Sequence, residues 1–214
     1  MTRAQGPDGE IEYRVVGAPG AARAVLVLRT GALATTDPAP AITARWPVRL
    51  LLVDLDGNDL DDPPAYGGET PAGATATQVE RILDRETPGA VVGLVAERAA
   101  VAFAVSLAAG LGDRVDRLAL VSPPAPETPL ARDVLEQRIG AVRARTVVFD
   151  GGPDDGAPGE GGPGDGDAPD GWGAWYAARF LDGRMQRRDA RSSLGGALTL
   201  TAVWPDVLSH VASD

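Results

Sequence analysis

Short apolar runs alternate with amphipathic segments along most of this chain. Runs rich in Val and Leu are typical of strands that a parallel sheet buries on both faces, whereas longer segments with aligned apolar positions indicate helices. Strands are predicted at 10–16, 24–28, 48–53, 91–94, 115–121, 146–149 and 185–188, and helices at 75–85, 96–111, 129–142 and near the end of the chain. Strands and helices in this alternation predict a three-layer α/β/α sandwich with a mainly parallel sheet.

The stretch 91–111 predicts a buried strand that runs directly into a helix, because an apolar run precedes an Ala- and Leu-rich segment without Pro. Such a strand-to-helix turn is the setting of the G-x-S-x-G nucleophile motif. Aligned on Gly93, the motif places Val95 at the nucleophile and Glu97 at the second glycine. Valine offers no nucleophile, and a β-branched residue is disfavoured in the strained backbone of this turn.

Composition narrows the classes of function. The chain has 214 residues, 44% of them hydrophobic, which predicts one domain over residues 1–214. Its 30 acidic and 20 basic residues give a net charge of -10, so neither nucleic acid nor an anionic membrane surface is an expected partner. Cysteine is absent, which excludes disulfides and thiolate chemistry.

Targeting signals are not evident in the sequence. Residues 1–10 lack an apolar signal-peptide core, and the longest uncharged apolar run, 99–109, is too short to cross a bilayer. A cytoplasmic location is therefore expected.

The segment 150–170 consists of Asp, Glu, Gly, Pro and Ala alone, and is predicted to be a disordered insertion within the domain. Its stretch 161–167 is similar to a calcium-binding glycine repeat, but occurs once and lacks the acid at the sixth position. No metal site and no cofactor are predicted.

A group of aromatic residues with helical spacing follows this segment. We interpret the group as core that covers the sheet, with an aromatic pocket wall as the alternative. Its members are Trp172, Trp175, Tyr176 and Phe180.

Five segments, in this order along the chain, resemble the α/β-hydrolase family. They are similar to the strand before the oxyanion loop (26–31), the D-x-R-G-x-G loop (54–64), the nucleophile turn (91–97), the strand after it (114–123) and the strand and turn that carry the catalytic acid (146–154). The resemblance implies the α/β-hydrolase fold. A substantial lid domain is not expected, because 122–143 holds only about one helix.

The same resemblance implies that the catalytic triad is incomplete. Asp154 falls at the position of the acid, as a vestigial residue, with Asp155 as its neighbour. The general base would fall between Ser192 and Ala197, where there is no histidine. The only histidine, His210, lies on the closing helix and is interpreted as a surface or packing residue. An orienting acid without a base has no triad role.

Backbone amide groups could still bind an anionic oxygen at the two turns, because these donors do not depend on side-chain identity. The predicted ligand-binding residues are Thr30, Gly31, Ala32, Val95 and Ala96.

Glu97 has two interpretations. The first is stabilisation of a helix N-terminus, where a carboxylate in the first turn is favoured by the helix dipole. The second is a general base that faces the vacated pocket and abstracts a proton.

Three functional hypotheses follow. The first is a protein that binds a small molecule or peptide and catalyses, if anything, an isomerisation, epimerisation or cyclisation. The second is a pseudoenzyme that serves as an interaction or regulatory module. The third, ranked last, is a hydrolase with a relocated nucleophile at Ser122, Ser192 or Ser193. The ligand and the oligomeric state stay open.

Overall fold

The computed structural model describes residues 2–6, 9–18, 20–30, 38, 40–55, 71–151, 171–188 and 198–213. The strands in this part of the chain are Thr2–Gly6 (β1), Gly9–Gly17 (β2), Arg23–Thr30 (β3), Val48–Leu55 (β4), Val92–Glu97 (β5), Val115–Val121 (β6), Arg145–Asp150 (β7) and Gly183–Arg187 (β8). The helices are Pro40–Arg45 (α1), Pro71–Glu86 (α2), Ala100–Leu111 (α3), Pro129–Ile139 (α4), Trp172–Ala177 (α5) and Leu200–Val211 (α6).

The described strands form one sheet in the order β1-β2-β4-β3-β5-β6-β7-β8. The strands from β4 to β8 along this order pair in parallel, whereas β2 pairs antiparallel with both β1 and β4. The carboxyl ends of the parallel strands therefore meet at one edge of the sheet and their amino ends at the opposite edge. The predicted mainly parallel sheet is confirmed.

Helices cover both faces of the sheet. On one face, buried residues of α2, α3, α4 and α5 pack into a core with alternate residues of the strands, among them Leu26 and Leu94. On the other face, α6 and the partly buried residues of α1 pack on the remaining strand residues, among them Val27 and Val95. Strand residues alternate between the two cores because successive side chains point to opposite faces. The result is the predicted three-layer α/β/α sandwich.

The boundaries differ from the sequence prediction at several places. Helix α2 begins at Pro71 rather than at position 75, and α4 ends at Ile139 rather than at position 142. Strand β1 and helix α1 were not predicted: the sequence of β1, TRAQG, shows no apolar alternation, and α1 is only six residues long. Strand β5 continues to Glu97, so α3 begins at Ala100 rather than at position 96. The central strand and its turn are therefore displaced toward the C-terminus.

The aromatic group lies in the core, as predicted. Trp175, Tyr176 and Phe180 are at most 5% exposed and pack in the core on the α3 side, and Trp172 is partly buried against the same core. Between β6 and β7 the chain forms the single helix α4, so no lid domain is inserted there. None of the helices in the described segments is long and apolar enough to cross a membrane.

Candidate functional site

The turn between β5 and α3 is formed by Arg98 and Ala99. Arg98 has φ 51°, a left-handed conformation that is uncommon outside glycine. Its N–H donates to the carbonyl of Val121 at 2.9 Å, and its own carbonyl accepts from Val101 at 2.9 Å. The backbone of Arg98 is thus anchored to β6 on one side and to α3 on the other, while its side chain is exposed.

Arg98, rather than Val95, occupies the strand-to-helix turn on which hydrolases of this type carry their nucleophile. The alignment of the motif on Gly93 placed this turn at Val95, which is three residues before Arg98. A different signal would have found the turn: small residues, Ala96 and Ala100, stand two positions before and after Arg98, where the G-x-S-x-G motif has its glycines.

Val95 and Ala96 are interior residues of β5. Both are 0% exposed. Val95 pairs with Val27 and Ala119 on the neighbouring strands. Ala96 pairs with the next residue of each of these strands. The side chain of Val95 packs in the core beneath α6, and the Ala96 amide lies within the sheet. Core packing and strand pairing thus occupy both residues, which does not favour the predicted contact with a ligand.

Glu97, the last residue of β5, is 6% exposed. Its Oε1 accepts a hydrogen bond of 2.9 Å from the backbone N–H of Leu200, the first residue of α6. A carboxylate is favoured there by the partial positive charge of the helix N-terminus. Glu97 is therefore not in the first turn of α3, as the first interpretation had it, but ends β5 and accepts from the N-terminus of α6.

Burial raises the pKa of the Glu97 carboxyl group, while the hydrogen bond from Leu200 and the positive charges of Arg98 and Arg29 oppose the shift. A raised pKa is a property that a general base can use. However, the carboxylate is held by α6, on the face of the sheet opposite to α3. The geometry thus favours a structural role for Glu97.

A row of charges crosses the carboxyl ends of three neighbouring strands. Arg29 on β3 pairs in register with Asp54 on β4, and their side chains form an ion pair at 2.6 Å. On the other side of β3, Leu28 pairs with Ala96, so Arg29 lies level with Glu97. The guanidinium of Arg29 is 3% exposed and is flanked by two carboxylates. A buried arginine between two acids compensates their desolvation.

Ser122 and His210 lie at opposite edges of the sheet. Ser122 follows β6 with φ 48°, and its hydroxyl donates to the carbonyl of Leu198 at 2.8 Å. Nε2 of His210 is 3.0 Å from the carbonyl oxygen of Arg145, the first residue of β7, and burial lowers the pKa of the imidazole. The length of a β-strand therefore separates the two side chains. If Ser122 were a relocated nucleophile, His210 would be too far away to act as its general base.

Several predicted site residues lie outside the described part of the chain. These are Gly31, Ala32, Asp154, Asp155, Ser192 and Ser193, together with 152–170 of the predicted insertion. Thr30 is described: it ends β3, pairs with Leu55 and is partly buried. Asp150, which ends β7, accepts a hydrogen bond of 3.0 Å from the Gly173 amide.

Within the described segments, no group of three or more His, Asp or Glu side chains is arranged to hold a metal ion. At the carboxyl edge, Arg29 and Asp54 form an ion pair and Glu97 accepts a hydrogen bond from a backbone amide. Arg98 is an exposed cation at this edge, and the strained turn fixes the position of its backbone.

Among known proteins, only solved structures were found to be similar to this chain. No family model matches the chain, and no curated protein sequence matches it. Structural similarity extends over nearly the whole chain.

An α/β-hydrolase fold protein from Nakamurella multipartita superposes with a TM-score of 0.55 and 16% identity, over 95% of this chain and 92% of that one. A CIB-like hydrolase from Thermoplasma acidophilum gives a TM-score of 0.61 and 12% identity, over 96% and 92% of the two chains. AqDC, which recognises the Pseudomonas quinolone signal and cleaves its ring, gives 0.58 and 17%, over 98% and 100%. At these identities the similarity concerns the fold, and the protein has the fold of the α/β-hydrolases.

Proposed function

We propose that this protein binds a small molecule or peptide bearing a carboxylate at the carboxyl edge of its sheet, and that it is not a serine hydrolase. The observation that carries the proposal is the position of Arg98. It occupies the strained strand-to-helix turn, where a hydrolase of this fold presents its nucleophile. A guanidinium remains protonated in proteins and does not act as an acyl acceptor, but it binds carboxylates through two parallel hydrogen bonds.

The electrostatics of the turn support an anionic ligand. Helix α3 has no acidic residue in its first turn, and its N-cap residue, Ala99, has no polar side chain. The N-terminus of a helix carries a partial positive charge and favours anions. Glu97, the nearest carboxylate in sequence, is directed to α6 and hydrogen-bonded to Leu200. The charge of Arg98 therefore adds to the helix dipole.

The position of the one histidine supports a non-hydrolytic role. The chain has one histidine, His210, and it contacts Arg145 at the amino edge of the sheet. Ser-His-acid chemistry needs the base within hydrogen-bond reach of the serine. The reaction of AqDC, ring cleavage of a quinolone signal, is an example of chemistry other than hydrolysis within similar architecture. Any reaction at the Arg98 edge would be an isomerisation, epimerisation or cyclisation.

A paired assay tests the proposal. Hydrolysis of p-nitrophenyl acetate is measured alongside thermal unfolding in the presence of benzoate, succinate and acetylated dipeptides. A ligand at about 100 times its Kd adds about 2.7 kcal/mol of stability, which raises Tm by roughly 5–10 °C in a domain of this size. We expect such a shift with at least one carboxylate and no ester turnover above the uncatalysed rate.

Two variants make the assay specific. Arg98→Ala is expected to abolish the thermal shift, whereas Arg81→Ala, which removes an exposed arginine from α2, leaves it unchanged. Ester turnover that Ser122→Ala abolishes would instead support a relocated nucleophile. The absence of a shift with every carboxylate tested would contradict the proposal and favour the interaction module.

A further inference from the structure

A cleft of about 410 Å³ lies at the amino edge of the sheet, opposite to the Arg98 edge. It is lined by Asp113, Val115, Asp116, Arg117, Arg143 and Arg145. Five of these six residues are charged, and three are arginines. The proposed function does not use this cleft.

Strand pairing places two of the arginines side by side. Arg117 on β6 and Arg145 on β7 are partners in the parallel register, and neighbouring strands lie about 4.8 Å apart. Both side chains start on the α6 face of the sheet, because Ala119 and Val147, two residues further along each strand, pack in the α6 core. Like charges at paired positions destabilise a sheet unless an anion lies near them.

The aspartates around the cleft form ion pairs with arginines, and these pairs differ in their exposure. Both oxygens of Asp116 accept hydrogen bonds from Arg23, so this carboxylate is already engaged. The other two ion pairs, Arg143–Asp113 at 3.3 Å and Arg145–Asp182 at 3.5 Å, are largely exposed. Exposed ion pairs contribute little to stability and exchange readily for another anion. Arg143 and Arg145, whose ion pairs are exposed, are therefore the arginines most easily redirected to another anion.

We propose that this cleft binds the phosphate group of a small phosphate-bearing molecule. Three arginines, from two adjacent strands and the segment before β7, line it, and the planar donor fork of arginine matches phosphate oxygens. The volume is within the range of small-molecule sites. The acidic surface of the rest of the chain disfavours a long polyanion, so the ligand is a small molecule rather than a nucleic acid.

His210 supplies a reporter for this site. Its Nε2 is 3.0 Å from the carbonyl oxygen of Arg145, and its ring is influenced electrostatically by Arg117 and Asp116, which line the cleft. Because the chain contains one histidine, the imidazole gives a single set of proton resonances. An anion that moves Arg145 or Arg117 changes the environment of this ring.

The experiment is a titration of the intact protein with inorganic pyrophosphate and with phenyl phosphate at constant ionic strength, followed through the His210 resonances. We expect a saturable shift for at least one of the two phosphates. Arg143→Ala and Arg117→Ala should each weaken the affinity by about tenfold, which corresponds to roughly 1.4 kcal/mol. Arg81→Ala, which removes the same charge from the surface of α2, should leave the affinity within twofold.

Control measurements keep the result unambiguous. Unfolding temperatures of the variants show whether Arg117→Ala, the more buried substitution, is still folded, and Arg143→Ala tests an exposed side chain in any case. A shift that does not saturate, or an equal loss of affinity in Arg81→Ala, would overturn the proposal. Tighter binding of succinate than of either phosphate would overturn the assignment of the ligand class.

Discussion

The backbone N–H of Leu200 donates a 2.9 Å hydrogen bond to Oε1 of Glu97, across 103 positions of sequence. The contact joins the end of the central strand to the start of the last helix. It satisfies one of the amide groups that a helix N-terminus leaves without an intrahelical partner. The N-cap residue of α6, Thr199, makes no side-chain capping bond of its own, so Glu97 supplies a cap from another part of the chain.

Removing this cap should destabilise the protein. Glu97→Ala leaves a buried N–H without its acceptor and opens space beside α6, which is expected to cost about 1–3 kcal/mol. Glu97→Gln keeps a carbonyl oxygen for Leu200 and should stay within about 1 kcal/mol of the wild type. Urea unfolding of the three proteins at pH 7 measures both differences. Equal losses in the two variants would indicate that the charge, rather than the hydrogen bond, matters at this position.

The same carboxyl group predicts a pH dependence of stability. Burial raises the pKa of Glu97 in the folded protein above its ordinary value of 4.5, so the folded state binds more protons than the unfolded state between the two values. Stability from this group is therefore fully present below pH 4.5 and is lost as pH rises through the folded pKa.

Urea unfolding of the wild type and Glu97→Gln at intervals from pH 4 to pH 8 isolates the effect. The stability of the wild type relative to Glu97→Gln should fall with rising pH over this window, because the amide does not titrate. A relative stability that rises with pH would mean that the Arg29 and Leu200 interactions outweigh desolvation.

Gly93 is required by packing rather than by a catalytic turn. A Cβ at this position would lie 2.9 Å from both Cβ and the carbonyl oxygen of Val211, at the end of α6. Gly93→Ala should therefore displace α6 from β5 and cost about 1–3 kcal/mol.

Gly140→Ala is the matched control for this substitution. A Cβ there meets its nearest atoms at 3.5 Å, and φ is -62°, so Ala is expected to be neutral or to stabilise by about 0.4–1 kcal/mol. Thermal unfolding compares the two variants. An unchanged Tm for Gly93→Ala would show that α6 adjusts without loss.

The sequence predicts the strands and helices of the three layers better than it predicts the position of the strand-to-helix turn. The strands β3, β4, β5, β6 and β7 each contain a run of buried apolar residues, and the pattern is strong because both faces of the sheet are covered. Strand β1 is antiparallel to β2 at the edge of the sheet, and its polar sequence lacks that pattern. Pairing with β2, which local sequence does not encode, determines its conformation.

The site was misplaced for a different reason. Gly93 supplied a motif residue at the expected spacing, although its small size serves the contact with Val211. Glu97 ends a strand in which all six residues are buried, and the group that compensates its charge belongs to a helix 103 positions away. A local pattern carries no information on such a distant partner, so the buried position of Glu97 in β5 could not be predicted from the sequence, whereas the turn at Arg98 is marked by Ala96 and Ala100.

The backbone conformation of Arg98 lowers the stability of the protein, whereas its side chain is proposed to bind the ligand. A single substitution tests both effects. A non-glycine residue in the left-handed region costs roughly 1–2 kcal/mol, and the side chain of Arg98 is exposed, so little packing offsets that cost. Arg98→Gly removes the strain. It also gives the unfolded chain more conformational entropy, which lowers the free energy of unfolding by about 0.4–1 kcal/mol. We therefore expect a net stabilisation of up to about 1 kcal/mol, together with loss of the carboxylate-induced thermal shift.

Arg81→Gly is the matched substitution in the interior of a helix. It should destabilise the protein by about 1 kcal/mol, since glycine is unfavourable there, and leave ligand binding intact. Urea unfolding with and without the carboxylate separates the two effects for each variant. Strain retained at a position that binds ligand is expected when function opposes stability. If Arg98→Gly is as destabilising as Arg81→Gly, the turn is held by contacts of the Arg98 side chain and the left-handed backbone is not a store of strain.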